Sequence, residues 1–150
     1  MAEKKFKLEQ VLVYRDEMEK LCKQEFAAAK QGFETAQDEL LREEQHVKEL
    51  TKEVCHCQQK LECIDEMRMY SDFFARKRDE IKNQKERVEH LDLLLNERRE
   101  ELLEATKDKK VLESLKQKKA KEFRNEMNQK ERNFLDEISV QKKVIPSESY

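Results

Sequence analysis

Apolar residues recur along this chain at alternating steps of four and three, which is the spacing of a coiled-coil seam. In the first half, the one polar residue that falls in this register is Glu43. The apolar members of this first series are Ala29, Phe33, Ala36, Leu40, Val47, Leu50, Val54, Cys57, Leu61 and Ile64. Upstream, Met18, Cys22 and Phe26 follow one another at two steps of four, which predicts a stutter in the supercoil. The pattern predicts long helices that pack through a narrow stripe.

The second half carries a similar series in a different register. Its apolar members are Met67, Tyr70, Phe74, Ile81, Val88, Leu91, Leu95, Leu102, Ala105, Leu112, Phe123 and Met127. The other slots of this register hold Lys77, Gln84, Arg98, Lys109, Lys116 and Lys119. Near the end of the chain, a second and shifted stripe is formed by Leu115, Phe134, Leu135 and Ile138.

The two registers do not agree, and the phase breaks between about residues 62 and 69. We therefore predict an all-α fold with two long helices in an antiparallel coiled-coil hairpin, which buries both seams within one chain. The single domain would span 1–143, with arms at about 5–65 and 68–141 around a turn at about 62–70, and a frayed tail at 144–150. Two long helices that pair between chains are the alternative, since the turn region has no Gly or Pro.

Composition excludes an ordinary globular core, because 44% of the residues are charged and the chain has one glycine and one proline. The net charge is −2, so no strong field indicates a nucleic-acid partner. The N-terminal segment lacks an apolar stretch, and the chain has no long apolar run. We therefore expect no signal peptide, no membrane span and a cytoplasmic location.

The stretch VCHCQQKLEC, residues 54–63, raises the question of a metal site. On a helix, Cys55 and Cys57 point to opposite faces, while His56 and Cys63 lie about 10 Å apart along the axis, so these groups cannot reach one ion. We expect reduced thiols, no metal and no cofactor, with Cys57 packed in the seam.

No arrangement of side chains indicates catalysis. The three histidines stand alone on charged segments, no serine lies on a glycine-rich turn, and one glycine cannot build a phosphate loop. We expect neither an enzyme nor a small-molecule substrate.

The most unusual stretch is MYSDFF, residues 69–74. Tyr70 and Phe74 occupy seam positions, whereas Phe73 lies about 100° away from Phe74 around a helix, so two helices cannot bury all three rings. We expect Phe73 to be left for a partner or to pack over the turn.

Several segments together resemble the FliJ family of bacterial flagellar export proteins. They are FKLEQVLVYRDEMEKLCKQEFAAAK at the start, the Tyr70, Phe73 and Phe74 pattern followed by IKNQKERV, the segment ATKDKKVLESLKQKK, and the late NQKERNFLDEI with Asp136 and Glu137. The resemblance covers nearly the whole chain in order and spacing.

This resemblance implies a two-helix antiparallel coiled coil that is similar to the central stalk of rotary ATPases. It implies a non-enzymatic role in flagellar type III protein export at the inner face of the cell membrane. The implied partners are the hexameric export ATPase at the open end, the membrane export gate near the tip, and export chaperones. Tyr70, Phe73 and Phe74 would face the gate, and the hairpin would be monomeric.

Three further interpretations stay open from the sequence. The same architecture serves the equivalent stalk protein of a virulence-type secretion system. A homodimeric scaffolding or cytoskeletal coiled coil would show a similar pattern. Within AAAKQGF, Gly32 would either let the helices approach closely or simply belong to an alanine-rich helix-forming segment.

Overall fold

A computed structural model describes residues 5–58 and 64–144, with side chains described as far as residue 142. This part of the chain contains two helices, α1 at Glu9–Cys57 with 49 residues and α2 at Ile64–Val144 with 81 residues. The predicted all-α fold of two long helices is confirmed. The predicted tail lies, apart from residue 144, outside the described residues.

The charges at the helix ends agree with the helix dipole. Glu9 stands in the first turn of α1, and Asp65 and Glu66 stand in the first turn of α2, where negative charge is favourable. His56 stands in the last turn of α1. Helix α2 begins at Ile64, so residues 64–70, which the sequence pattern placed in the turn, are helical. Residues 62 and 63 of the predicted turn lie outside the described part of the chain.

The structure divides into two compact units. The central unit comprises residues Lys20–Glu104. In it, Glu25 of α1 pairs with Arg98 of α2, and Glu44 of α1 pairs with Lys85 of α2. The residue number of the partner in α2 therefore falls as the residue number in α1 rises. The helices are therefore antiparallel, as predicted. Ala36 and Leu95 are the buried apolar residues among those described.

The terminal unit comprises Met1–Glu19 and Ala105–Tyr150. Its pairs run in the same sense, from Glu9 with Lys116 to Asp16 with Lys109. Helix α2 extends well beyond Lys116, whereas α1 begins at Glu9. The end of α2 in this unit consequently has no described ion pair with α1.

The predicted stutter in α1 is wrong, because the buried residue next to Cys22 is Glu19 and not Met18. Glu19 is 5% exposed, whereas Met18 is only half-buried. Counted through Glu19, the spacing to Cys22 and Phe26 is three and then four, so the regular heptad continues. The sequence pattern favoured Met18 because a carboxylate is rarely fully buried unless it is paired.

The end of the first seam also differs from the prediction. Val54 is half-buried as expected, but Cys57 is exposed, and Ile64 lies in α2 with 72% exposure. Leu61 lies outside the described residues. Helix α1 ends at Cys57, so Ile64 belongs to the first turn of α2 and not to the first seam.

Gly32 does not serve close helix packing. A Cβ atom built on Gly32 would have no heavy atom within 4 Å, and the residue is exposed. The interpretation as part of an alanine-rich helical segment is the one that the structure favours.

Candidate partner-binding site

The aromatic segment near the start of α2 presents one ring to solvent and holds two in place. Tyr70 is 40% exposed, whereas Phe73 and Phe74 are half-buried. The rings of Phe73 and Phe74 meet edge to face, with centroids 5.9 Å apart and planes at 73°. The sequence singled out Phe73 as the ring without a place in the seam, but Tyr70 is the more exposed residue.

Lys77 holds the position of Phe73 from the next turn of α2. Its Nζ lies 5.9 Å from the centroid of the Phe73 ring, within the range of a cation–π interaction. The same ammonium group pairs with Glu80 Oε2 at 3.0 Å and with Glu43 Oε2 of α1 at 3.1 Å. The hydrogen bonds to Glu80 and Glu43 raise the pKa of Lys77, so it stays charged at neutral pH. The cation thus links the aromatic pair to both helices.

Two open grooves flank the aromatic rings, one on each side of Tyr70 and Phe74. The larger has a volume of about 620 Å³ and combines apolar surface with a few charges. Its lining residues are Leu50, Val54, Glu66, Met69, Tyr70, Asp72, Phe73, Phe74 and Arg76. The smaller is lined by Thr51, Val54, Cys55, Gln58, Met67, Tyr70, Ser71 and Phe74. Apolar walls with a few polar groups are typical of a surface that binds another protein.

The sequence missed two parts of this surface. Met69, 71% exposed, lies outside the seam register, so the periodicity did not identify it as a surface residue. Its position beside Tyr70 was the signal that could have identified it, since methionine is common at adaptable binding surfaces. Leu50 and Val54 were assigned only to the seam, but they also line the larger groove from α1.

A second apolar surface lies at the far end of α2, in the terminal unit. Phe134, Leu135 and Val140 are 62%, 63% and 62% exposed. Phe123, Met127 and Ile138 are half-buried on the same segment. Large apolar side chains at this exposure are consistent with a surface that a partner covers.

Cysteine chemistry gives no site in the described part of the chain. Cys22, Cys55 and Cys57 are free thiols, and Cys63 lies outside the described residues. Burial and the nearby Glu25 carboxylate raise the pKa of the Cys22 thiol. Within residues 5–58 and 64–144, no group of His, Cys, Asp and Glu side chains has the arrangement that a metal ion requires.

Neither α1 nor α2, over their described lengths, contains a stretch with the length and apolar character to span a bilayer.

A comparison with protein families identifies the kind of protein to which these surfaces belong. The family model described as flagellar FliJ protein matches residues 4–143, which is nearly the whole chain. The chain belongs to the FliJ family. Comparisons with curated proteins and with solved structures found no match.

Membership of the FliJ family confirms the resemblance seen in the sequence. The protein is a coiled-coil component of flagellar protein export, and its family is a non-catalytic part of the export apparatus. The two apolar surfaces on α2 are the candidates for contact with another protein.

Proposed function

We propose that this FliJ protein links the flagellar export ATPase to the membrane export gate. The aromatic segment of the central unit binds the gate, and the end of α2 in the terminal unit enters the hexameric ATPase ring. The protein also escorts export chaperones and works at the inner face of the cell membrane. The observation that carries the gate assignment is the exposed, largely apolar surface around Tyr70, beside an aromatic pair held by Lys77.

Three properties of the aromatic surface support binding of a partner protein. Tyr70 and Met69 expose 40% and 71% of their surface, although both are residues that water solvates poorly. Phe73 and Phe74 are already fixed against each other, so little side-chain entropy is lost when a partner covers them. Arg76 and Asp72 add charges at the edge of the groove, which would orient the partner.

The gate assignment is tested with Tyr70→Ala and Phe73→Ala. Binding to the purified cytoplasmic domain of the export gate should weaken at least about tenfold for Tyr70→Ala, since buried tyrosine and arginine anchors dominate interface energies. Phe73→Ala should weaken binding further, because it also removes the ring contact with Phe74. Motility of cells that carry either variant should fall, while the helical content stays unchanged.

The matched control is Leu93→Ala. Leu93 lies on the same helix of the same unit and is 65% exposed, but it is remote in sequence from the aromatic segment. It should bind the gate domain and support motility as the parent protein does. Unchanged gate binding and motility in the Tyr70→Ala/Phe73→Ala double variant would count against the assignment.

The ATPase assignment is supported by the extension of α2 beyond its last described ion pair with α1, at Lys116 and Glu9. This segment is rich in Lys and Arg and exposes Phe134 and Leu135, so it offers both charge and apolar contacts. A single helix with these features fits a narrow opening better than a helix pair does, because it is about 10 Å wide.

Removal of residues 126–150 should abolish most of the stimulation of ATP hydrolysis by the export ATPase. The control chain lacks only residues 145–150 and should stimulate hydrolysis normally. If the longer truncation stimulates as well as the control chain does, the end of α2 is not the ATPase-binding segment. Gate binding should survive in both truncated chains.

A further inference from the structure

Glu19 is the buried charged residue of the described chain, and it lies between α1 and α2 in the terminal unit. Its side chain is 7% exposed. Lys109 of α2 donates a hydrogen bond from Nζ to Glu19 Oε2 at 2.8 Å, and Thr106 donates from Oγ1 to Glu19 Oε1 at 3.2 Å. Lys109 also pairs with Asp16 Oδ1 at 2.7 Å. We name Asp16, Glu19, Thr106 and Lys109 the register cluster.

The electrostatics of the register cluster are those of a mutually satisfied group. Lys109 donates hydrogen bonds to Asp16 and to Glu19, and these two bonds, the one to Asp16 more strongly, raise the pKa of Lys109 well above its usual range. The ammonium group is therefore charged at any physiological pH, and both oxygens of Glu19 have a donor.

Stability alone does not explain a charged group at this position. Well-packed apolar side chains of similar volume are often as stabilising as a buried ion pair, or more so, because they avoid the cost of desolvation. The documented benefit of polar groups in a coiled-coil seam is instead that they select one register.

The apolar seam by itself selects its register weakly, because a four-three pattern matches itself after a shift of seven residues. If α2 shifts by seven residues in one direction, Lys116 takes the place of Lys109. Glu113 then takes the place of Thr106, next to the buried Glu19 carboxylate. If α2 shifts by seven residues in the other direction, Leu102 takes the place of Lys109, and Arg99 takes the place of Thr106. The first arrangement keeps a lysine beside Glu19 but buries a second carboxylate against it, and the second leaves a cation in the place of Thr106 but replaces the main donor by an apolar side chain.

We propose that the register cluster fixes which heptads of α1 and α2 pair in the terminal unit, and so sets how far α2 extends past the start of α1. A shift of one heptad would change that extension by about 10 Å. This inference goes beyond the proposed function, since it concerns how the two helices find their pairing and does not depend on any partner.

The test is a distance measurement in the intact chain. The four cysteines are replaced by serine, and nitroxide spin labels are attached through Gln10→Cys and Glu126→Cys, at two exposed positions in the terminal unit. Pulsed electron paramagnetic resonance on the monomer fraction then gives the distribution of distances between the labels. With the register cluster intact, we expect a single distance.

The decisive variant replaces the ion pair by apolar residues, Glu19→Leu/Lys109→Met. We expect it to unfold at a urea midpoint equal to or above that of the parent, and yet to show a second distance that differs by about 10 Å, one heptad. The single variant Lys109→Met should have a lower midpoint, because it leaves Glu19 without its ammonium partner.

The matched control is Arg15→Leu/Asp108→Leu, which removes an ion pair of the same unit that is well exposed, at 42% and 52%. This control should keep the single distance. If Glu19→Leu/Lys109→Met also keeps a single, unshifted distance, the proposal is wrong. A double variant that yields no monomer fraction would also overturn it, because the cluster would then govern the number of chains instead of the register.

Discussion

Leu95 offers the sharpest test of how the central unit is held together. It is 7% exposed and is one of two buried apolar residues in the described chain, whereas Leu93 on the same helix is 65% exposed. Substitution of leucine by alanine removes the equivalent of three methylene groups, each worth about 0.8 kcal/mol when fully buried. For Leu95→Ala this gives about 2.4 kcal/mol, and the small cavity that remains brings the expected loss to about 2–3 kcal/mol.

For Leu93→Ala, about one third of the same surface is buried, which predicts a loss of about 0.8 kcal/mol. The higher helix propensity of alanine offsets about 0.2 kcal/mol of that loss equally in both variants. The two variants should therefore differ by about 1.5 kcal/mol, although they involve the same chemical change on the same helix.

The assay is urea unfolding of both variants and the parent chain, followed by far-ultraviolet circular dichroism. With a slope of about 2 kcal/mol per molar urea, Leu95→Ala should shift the midpoint down by about 1 M, and Leu93→Ala by about 0.3 M. Equal shifts in the two variants would refute the reasoning, because they would show that Leu95 is not packed between α1 and α2.

Two further predictions concern the glycine and the thiols of the first helix. Gly32→Ala should raise the free energy of unfolding by about 0.5–1 kcal/mol, because Gly32 lies in the middle of α1 and a Cβ atom there would have no heavy atom within 4 Å. The same urea assay measures this change. A loss of stability would contradict the open surroundings of Gly32 in the structure. At neutral pH, a maleimide should modify the exposed Cys55 several-fold faster than Cys22. The reason is that burial and the Glu25 carboxylate raise the pKa of the Cys22 thiol and so lower its thiolate fraction. Mass spectrometry after timed labelling measures both rates, and equal rates would show that Cys22 is not shielded.

Much of the seam could be predicted from the sequence, because helical periodicity is a local property. The spacing that placed Ala36 and Leu95 in the two stripes also placed them in the most buried positions of the structure. Of the polar slots of the second register, Lys77, Gln84, Arg98 and Lys109 are half-buried as the pattern requires, whereas Lys116 and Lys119 are exposed. Seven-residue periodicity therefore identified the positions of the interface without knowledge of the partner helix.

The aromatic segment was found from the sequence, but its arrangement was not. Two helices cannot bury Tyr70, Phe73 and Phe74 together, and this argument from helix geometry needs no coordinates. Which ring is exposed depends on how the two helices pack, and in the structure Tyr70 is the exposed ring while Lys77 lies near the Phe73 ring. The role of these residues at the export gate stays a prediction.

The sequence by itself determined the helical fold, the two stripes and the family, because each depends on order and spacing along one chain. Only the tertiary structure decided the end of α1 at Cys57 and the burial of Glu19. Sequence reasoning passed over Glu19 because a carboxylate in a seam is unfavourable until a cation lies opposite. That cation is Lys109, which is 90 positions away along the chain, so its presence opposite Glu19 depends on the register in which the two helices pair.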